Sequence, residues 1–247
     1  MTRLRRPRLP AFLTLLTLLA LSGCESEGPD KNTTAPATLV FAGDRLPLGL
    51  LGATYGETLG VTGGRTPYVF AFDAADLPAG LADQSTATAF GLGGVPTAAG
   101  TFTIPLTVTD ADKATASTVV TVVVAGSFDP VGGWSYHTLV TVANGGCDGE
   151  EGDETTYGVT ITRTGTAVTL KGLLGDDANQ VAGTWNGNRL TLTGTYPEDG
   201  GFTTGTHNLV VYTPNLMSGL EDWDWGPIAG ASTCPVSVSR ITATRTP

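Results

Sequence analysis

Thr101-Phe102-Thr103-Ile104-Pro105-Leu106-Thr107-Val108-Thr109 decides the fold class. Phe102, Ile104, Leu106 and Val108 alternate with threonines and one proline, a period of two that puts one apolar face and one polar face on a strand. Pro105 lacks an N–H, so a bulge is expected there. Ser117 to Val124 follows as a second strand, apolar on both faces near its end, as suits a central strand. Tyr68, Phe70 and Phe72 line one face of an earlier strand. Two such sheets packed face to face form a sandwich about 10 Å thick.

The same texture runs on to the C-terminus. Gly, Thr and β-branched residues are abundant, and no segment after Cys24 sustains a 3.6-residue apolar period. The fold class is therefore all-β. After a connector at 126–132, strands are expected to open at Trp134 and Tyr136 and then to centre on Tyr157–Ile161, Val168–Leu170, Val181–Trp185, Leu190–Tyr196, Leu209–Tyr212, Met217–Trp225 and Val236–Ala243. Asn186-Gly187 signals a tight hairpin. Eight consecutive strands with short links point to an antiparallel up-and-down barrel at 133–247, with a flattened sandwich as the other arrangement.

Toward the N-terminus the pattern breaks. Arg3, Arg5, Arg6 and Arg8 precede an apolar run from Ala11 to Leu21, too short to span a bilayer and sized like a signal-peptide core. Leu21-Ser22-Gly23-Cys24 closes it. Residues 25–37 contain no core-forming side chain and read as a flexible tether.

These segments carry three resemblances. The leader resembles that of bacterial lipoproteins, which implies cleavage after residue 23, lipidation of Cys24 and anchoring through acyl chains; Glu25 after the cysteine favours the outer membrane. Gly63-Gly64-Arg65-Thr66-Pro67-Tyr68, Leu77-Pro78-Ala79-Gly80-Leu81, Gly94-Val95-Pro96 through Phe102, and Val108-Thr109-Asp110 look like a bacterial immunoglobulin-like module related to cadherin-like repeats, spanning 38–125. Gly133-Trp134, Gly183-Thr184-Trp185 and Leu190-Thr191-Leu192-Thr193-Gly194 are similar to lipocalin-like (calycin) barrel domains.

Composition narrows the function classes. The chain has 13 Lys+Arg against 23 Asp+Glu, a formal charge of −10, which becomes −14 when the four leader arginines leave. Such a surface excludes nucleic acid as a partner, since phosphate neutralisation needs clustered Lys and Arg. The acidic loop 147–154 and the pair Asp110 and Asp112 lack the order of a calcium loop and read as solvated turn residues. His137 and His207 sit in no catalytic frame, and His137 falls out of phase with Trp134 and Tyr136, as a surface residue would. No enzyme, no metal site and no cofactor is expected.

Cys147 and Cys234 are the two cysteines left beside Cys24. In an exported protein an even pair implies one disulfide, with a reactive thiol pair as the alternative. Trp223 and Trp225, with Asp222 and Asp224 beside them, are candidate ligand contacts: rings flanked by carboxylates stack on and hydrogen-bond a sugar, while the competing role for the tryptophans is barrel core. The bulky Trp134, Tyr136, Trp185 and Tyr196 are expected to fill the barrel interior, and Gly183 and Gly194 to free space in it. The functional expectation is a membrane-anchored, non-catalytic binding module that meets another envelope protein or a glycan. A carrier of a small apolar ligand is the alternative.

Labelled palmitate should be incorporated at Cys24 in a bacterial host, and Cys24→Ala should leave the membrane fraction. An unlabelled wild type, or a variant that still fractionates with membrane, would refute the leader assignment.

Overall fold

The computed structural model describes residues 37–143, 150–198, 200–229, 234 and 236–247. The leader, Cys24, most of the tether, Cys147 and Asp148 lie outside them. Residues 36–247 form one compact unit.

The first half is a two-sheet sandwich. One sheet has the order β1 (Val40–Phe41), β3 (Tyr55–Thr62), β6 (Ala89–Gly94), β5 (Leu81–Asp83). The other runs β2 (Gly49–Leu50), β8 (Thr115–Ala125), β7 (Gly100–Thr109), β4 (Val69–Ala71). All pairs are antiparallel except β2 with β8. Ile104 and Leu106 of β7, Val120 and Val122 of β8, and Phe90 and Leu92 of β6 meet between the sheets and are fully buried. The alternation read from 101–109 is thus the core face of β7.

The bulge expected at Pro105 is absent. β7 and β8 stay in register from Gly100↔Val124 to Thr109↔Thr115, with Pro105 opposite Val119. The reason is the other edge of β7: β4 pairs only with Thr107–Thr109, so at Pro105 that edge is bare and a missing donor breaks no ladder bond.

The second half is a closed barrel of eight antiparallel strands in sequence order. They are β9 (Gly132–Val142), β10 (Glu154–Thr164), β11 (Ala167–Lys171), β12 (Gln180–Asn186), β13 (Arg189–Glu198), β14 (Gly201–Thr213), β15 (Leu216–Gly226) and β16 (Ser237–Arg245). Closure is made by β16 against β9, from Arg245↔Trp134 to Val238↔Val142. All eight expected strands are present, and the flattened sandwich is not formed. The β12–β13 hairpin turns one residue later than the Asn186-Gly187 signal: Asn186 pairs with Arg189, so the loop is Gly187-Asn188, with Gly187 at φ 63°.

That shift matters, because Asn188 then faces the sandwich. Its side-chain amide donates to Leu48 O and to Glu57 Oε1, both at 3.0 Å. Arg189 forks onto the two oxygens of Glu57 at 2.6 and 2.7 Å. Leu48 belongs to the sandwich half, yet its side chain is buried in the barrel's apolar cluster, and its N–H donates to Val211 O at 2.7 Å. Val123 and Ala125 of β8 pack on the same cluster, which explains why the end of β8 is apolar on both faces. The connector is held as well: Phe128 is buried in the barrel cluster, Asp129 pairs with Arg163 at 2.9 Å, and the Arg245 guanidinium donates to Asp129 O and Val131 O while lying over the Trp134 ring. One end of the barrel is therefore plugged by the sandwich.

Leu48→Ala should cost about 2–4 kcal/mol of folding stability, because it removes a buried side chain that cannot be replaced by solvent. Chemical denaturation followed by barrel tryptophan fluorescence checks it. A barrel signal that does not move would show that Leu48 does not plug the barrel.

Candidate functional site

Alternation along closed strands divides the interior into two zones. Toward the sandwich it is apolar: Trp134, Ile161, Leu170, Leu190, Leu192, Val211, Met217 and Ile241 are all fully buried. Toward the far end the inward positions become polar. β14 contributes Thr203, Gly205 and His207; β15 contributes Glu221 and Trp223; β13 contributes Tyr196 and Glu198; β10 contributes Tyr157; β9 contributes Thr138; β16 contributes Ser239. At this end the barrel opens into a cavity of about 200 Å³, with Asp153, Thr155, Val140 and Leu174 at its sides. An eight-stranded barrel is just wide enough for its own side chains, so a cavity reflects small residues at inward positions.

Gly205 lets the Glu221 and His207 side chains pack against the β14 backbone. A Cβ there would stand 3.0 Å from Glu221 Oε1 and 3.1 Å from His207 Nε2. Gly183 and Gly194, expected to free space, do something else. A Cβ at Gly183 would lie 1.9 Å from Thr191 O, and one at Gly194 would lie 2.7 Å from Gln180 O, so these glycines let neighbouring backbones approach closely.

Glu221 forms the floor, and the buried His207 lies against it. Tyr136 Oη and His207 Nδ1 are 2.9 Å apart. Burial holds the Tyr136 phenol far above its ordinary pKa, so it keeps its proton. Nδ1 is its sole hydrogen-bond partner among the described residues, and the imidazole tautomer sets which of the two donates. Nε2 lies 3.5 Å from Glu221 Oε1, without hydrogen-bond geometry, and is otherwise unpartnered although His207 is fully buried. Tyr196 donates to the same Oε1 at 3.4 Å. Burial raises the Glu221 carboxyl to about 7, with Glu198 and Asp222 adding to the rise and Tyr196 opposing it. Burial lowers the His207 imidazole to about 4. Near pH 6 the pair is thus neutral, a protonated acid beside a neutral imidazole.

The four candidate ligand contacts separate. Trp223 lines the cavity, with Nε1 donating to Ser239 Oγ at 2.9 Å. Trp225 shares that face, but its ring lies against Gly201 and its Nε1 donates to Glu198 O at 3.1 Å, outside the cavity lining. Asp222 and Asp224 alternate with them on β15, away from the interior, and Asp222 is exposed. The interior aromatic expectation holds for Trp134, Tyr136 and Tyr196, which are buried; Trp185 is half-buried, edge-on to Phe128 and under Arg163.

His137 is a surface residue, 3.7 Å from Glu154. Asp110 is a turn anchor: its carboxylate accepts the N–H groups of Arg65, Asp112 and Ala114 at 2.8–3.0 Å. Burial works to raise its pKa, but those three donors outweigh it and hold it below the ordinary range. Among the described residues no three His, Cys, Asp or Glu side chains gather as a metal site.

His207 and Glu221 were not singled out by motif. The available signal was phase: Glu221 lies two residues before Trp223 and so on the same face. No family model and no curated protein matches the chain. Among the described residues, the fold and the cavity define an all-β protein whose C-terminal barrel is plugged by the sandwich at one end and lined by polar side chains around a cavity at the other.

Glu221 and His207 push stability in opposite directions with pH. Glu221 binds its proton more tightly folded than unfolded, so it removes stability as pH rises from about 4.5 to about 7. His207 binds its proton less tightly folded, so it adds stability as pH rises from about 4 to about 6.5. Relative to wild type, Glu221→Gln should gain up to about 1.4 kcal/mol per pH unit across the first window, and His207→Gln should lose as much across the second. Urea denaturation at stepped pH checks both slopes; parallel curves for variant and wild type would contradict the assignment.

Proposed function

We propose that the chain is a lipid-anchored envelope protein that acts as a non-catalytic binding module, with the open end of the barrel as its ligand seat. The observation that carries the reading is the cavity of about 200 Å³ floored by Glu221 and walled by Tyr157, Tyr196 and Trp223, at the barrel end away from the sandwich. Convergent polar groups in a concave, aromatic-walled cavity are the usual marks of a small-ligand site. The polar lining favours a hydrogen-bonding ligand over the apolar one that a carrier was expected to take.

The anchor rests on Leu21-Ser22-Gly23-Cys24 and the basic leader before it. The immunoglobulin-like reading of the sandwich is supported by its sheet orders. Taking β1, β3, β4, β5, β6, β7 and β8 as strands A to G gives sheets ABED and CFG, with β2 as a continuation of A that crosses to strand G. The lipocalin-like reading of the barrel is supported by sequential antiparallel closure alone. Pairing of Cys234 with Cys147 is supported by Cys234 having no free thiol, and by its N–H reaching Trp225 O at 3.3 Å beside the cavity strands. That bond would tie the loop after β9 to the strand that closes on β9. In this arrangement the sandwich serves as a stalk and the cup opens away from it.

Thermal shift of the full mature protein against a library of small polar metabolites tests the reading. At least one compound should raise Tm in wild type and lose that effect in Thr138→Phe, which fills the cup. Shifts that persist in the filled variant would place binding elsewhere and contradict it.

A further inference from the structure

The cup carries a charge pattern that selects its ligand. Asp153, Glu198 and Glu221 line it, and no Lys or Arg does among the described residues. Tyr157, Tyr196 and Trp223 supply ring surface around the carboxylates. Carboxylates alone would signify little on so acidic a chain, but the floor gives a separate indication. His207 Nε2 is fully buried with no hydrogen-bond partner, 3.5 Å from the Oε1 of Glu221, the carboxyl that lines the cup. An unsatisfied buried polar atom against a lining carboxyl marks a network that ionisation of that carboxyl completes. Among the described residues no arginine of the barrel lines it: Arg163 is held by Asp129, Arg189 by Glu57, Arg245 by backbone carbonyls at the sandwich end, and Arg240, next to the inward Ser239, is exposed on the outer face.

We infer that the barrel cup binds a small organic cation, a primary or methylated ammonium, with the charged nitrogen over Glu221 and the alkyl groups against Tyr157, Tyr196 and Trp223. The inference rests on the cup being the ligand seat. An ammonium finds a carboxylate partner and aromatic faces in one place, and both interactions strengthen with removal from water. A cation over Glu221 also draws it to its ionised form, whose Oε1 then accepts from Tyr196 and, with a small ring movement, from His207 Nε2. The groups facing Glu221 are His207 from β14, Tyr196 and Glu198 from β13, Tyr136 and Tyr157 from β9 and β10, with Asp222 on its own strand and Asp153 at the rim. None is a cation near neutral pH, so nothing in the cup replaces the ligand's charge. Burial puts Glu221 at about 7, so binding releases close to one proton below that pH.

The test compares butylamine, tetramethylammonium, butanol and butyrate, titrated into the full mature protein and followed by nuclear magnetic resonance shifts of the lining residues. One or both cations should perturb Glu221, Tyr196 and Trp223, while butanol and butyrate should not. Cation affinity should rise about tenfold per pH unit from 5 to 7 and level off above, as expected for one released proton. Glu221→Gln should weaken it at least tenfold and flatten that pH profile. Asp153→Asn, at the exposed rim, should weaken it less and keep the profile. Equal binding of butanol or butyrate, or cation affinity unchanged in Glu221→Gln, would overturn the charge preference while leaving the cup as a binding site. No shift at any lining residue with any of the four would overturn both.

Discussion

Pairing of β16 with β9 is the constraint on which the barrel depends. Once that edge is closed, every second residue of eight strands faces the barrel interior. A polar side chain in phase with the core must then find a partner inside, lower its charge, or sit where the barrel opens. His207 and Glu221 do the first two: the imidazole takes the Tyr136 phenol, and each member of the pair is neutral near pH 6. Thr203, Ser239 and Glu198 do the third, at the open end.

The opposite end stays apolar because another part of the chain covers it. Leu48 from the sandwich is buried among Val211, Met217 and their neighbours, and the backbone on either side of it is fixed by Val211 O and Asn188. The Glu57–Arg189 fork at the margin is charge-assisted and bidentate, so it fixes orientation more than it adds free energy. A barrel covered on one side by the sandwich keeps its described inward polar side chains at the other side.

Much of this architecture was legible in the residues. The alternation of Phe102, Ile104, Leu106 and Val108 gave the core face of β7, and the eight barrel segments fell where their β-branched runs lie. Asp110 read correctly as a turn residue, because an aspartate ending a strand finds nearby backbone N–H groups whatever the fold. Pro105 did not read correctly: its effect depends on whether β4 reaches that far, which is a tertiary fact. The glycines behaved likewise. Gly183, Gly194 and Gly205 are alike in sequence, and only the packing tells which faces a neighbouring backbone and which faces side chains. The pair escaped notice because one histidine and one glutamate on separate strands form no motif. Their strand phase puts each inward, but their meeting depends on the β14–β15 register that sets His207 opposite Glu221.

The far end of the barrel is a polar cup, and burial keeps the carboxyl on its floor uncharged at mildly acidic pH. The carbon-13 chemical shift of the Glu221 side-chain carboxyl as a function of pH, in the protein without added ligand, reads this state directly. The account predicts a midpoint near 7. A midpoint in the ordinary glutamate range, about 4.3, would mean that the carboxyl is solvated, and would contradict both the buried floor and the site built upon it.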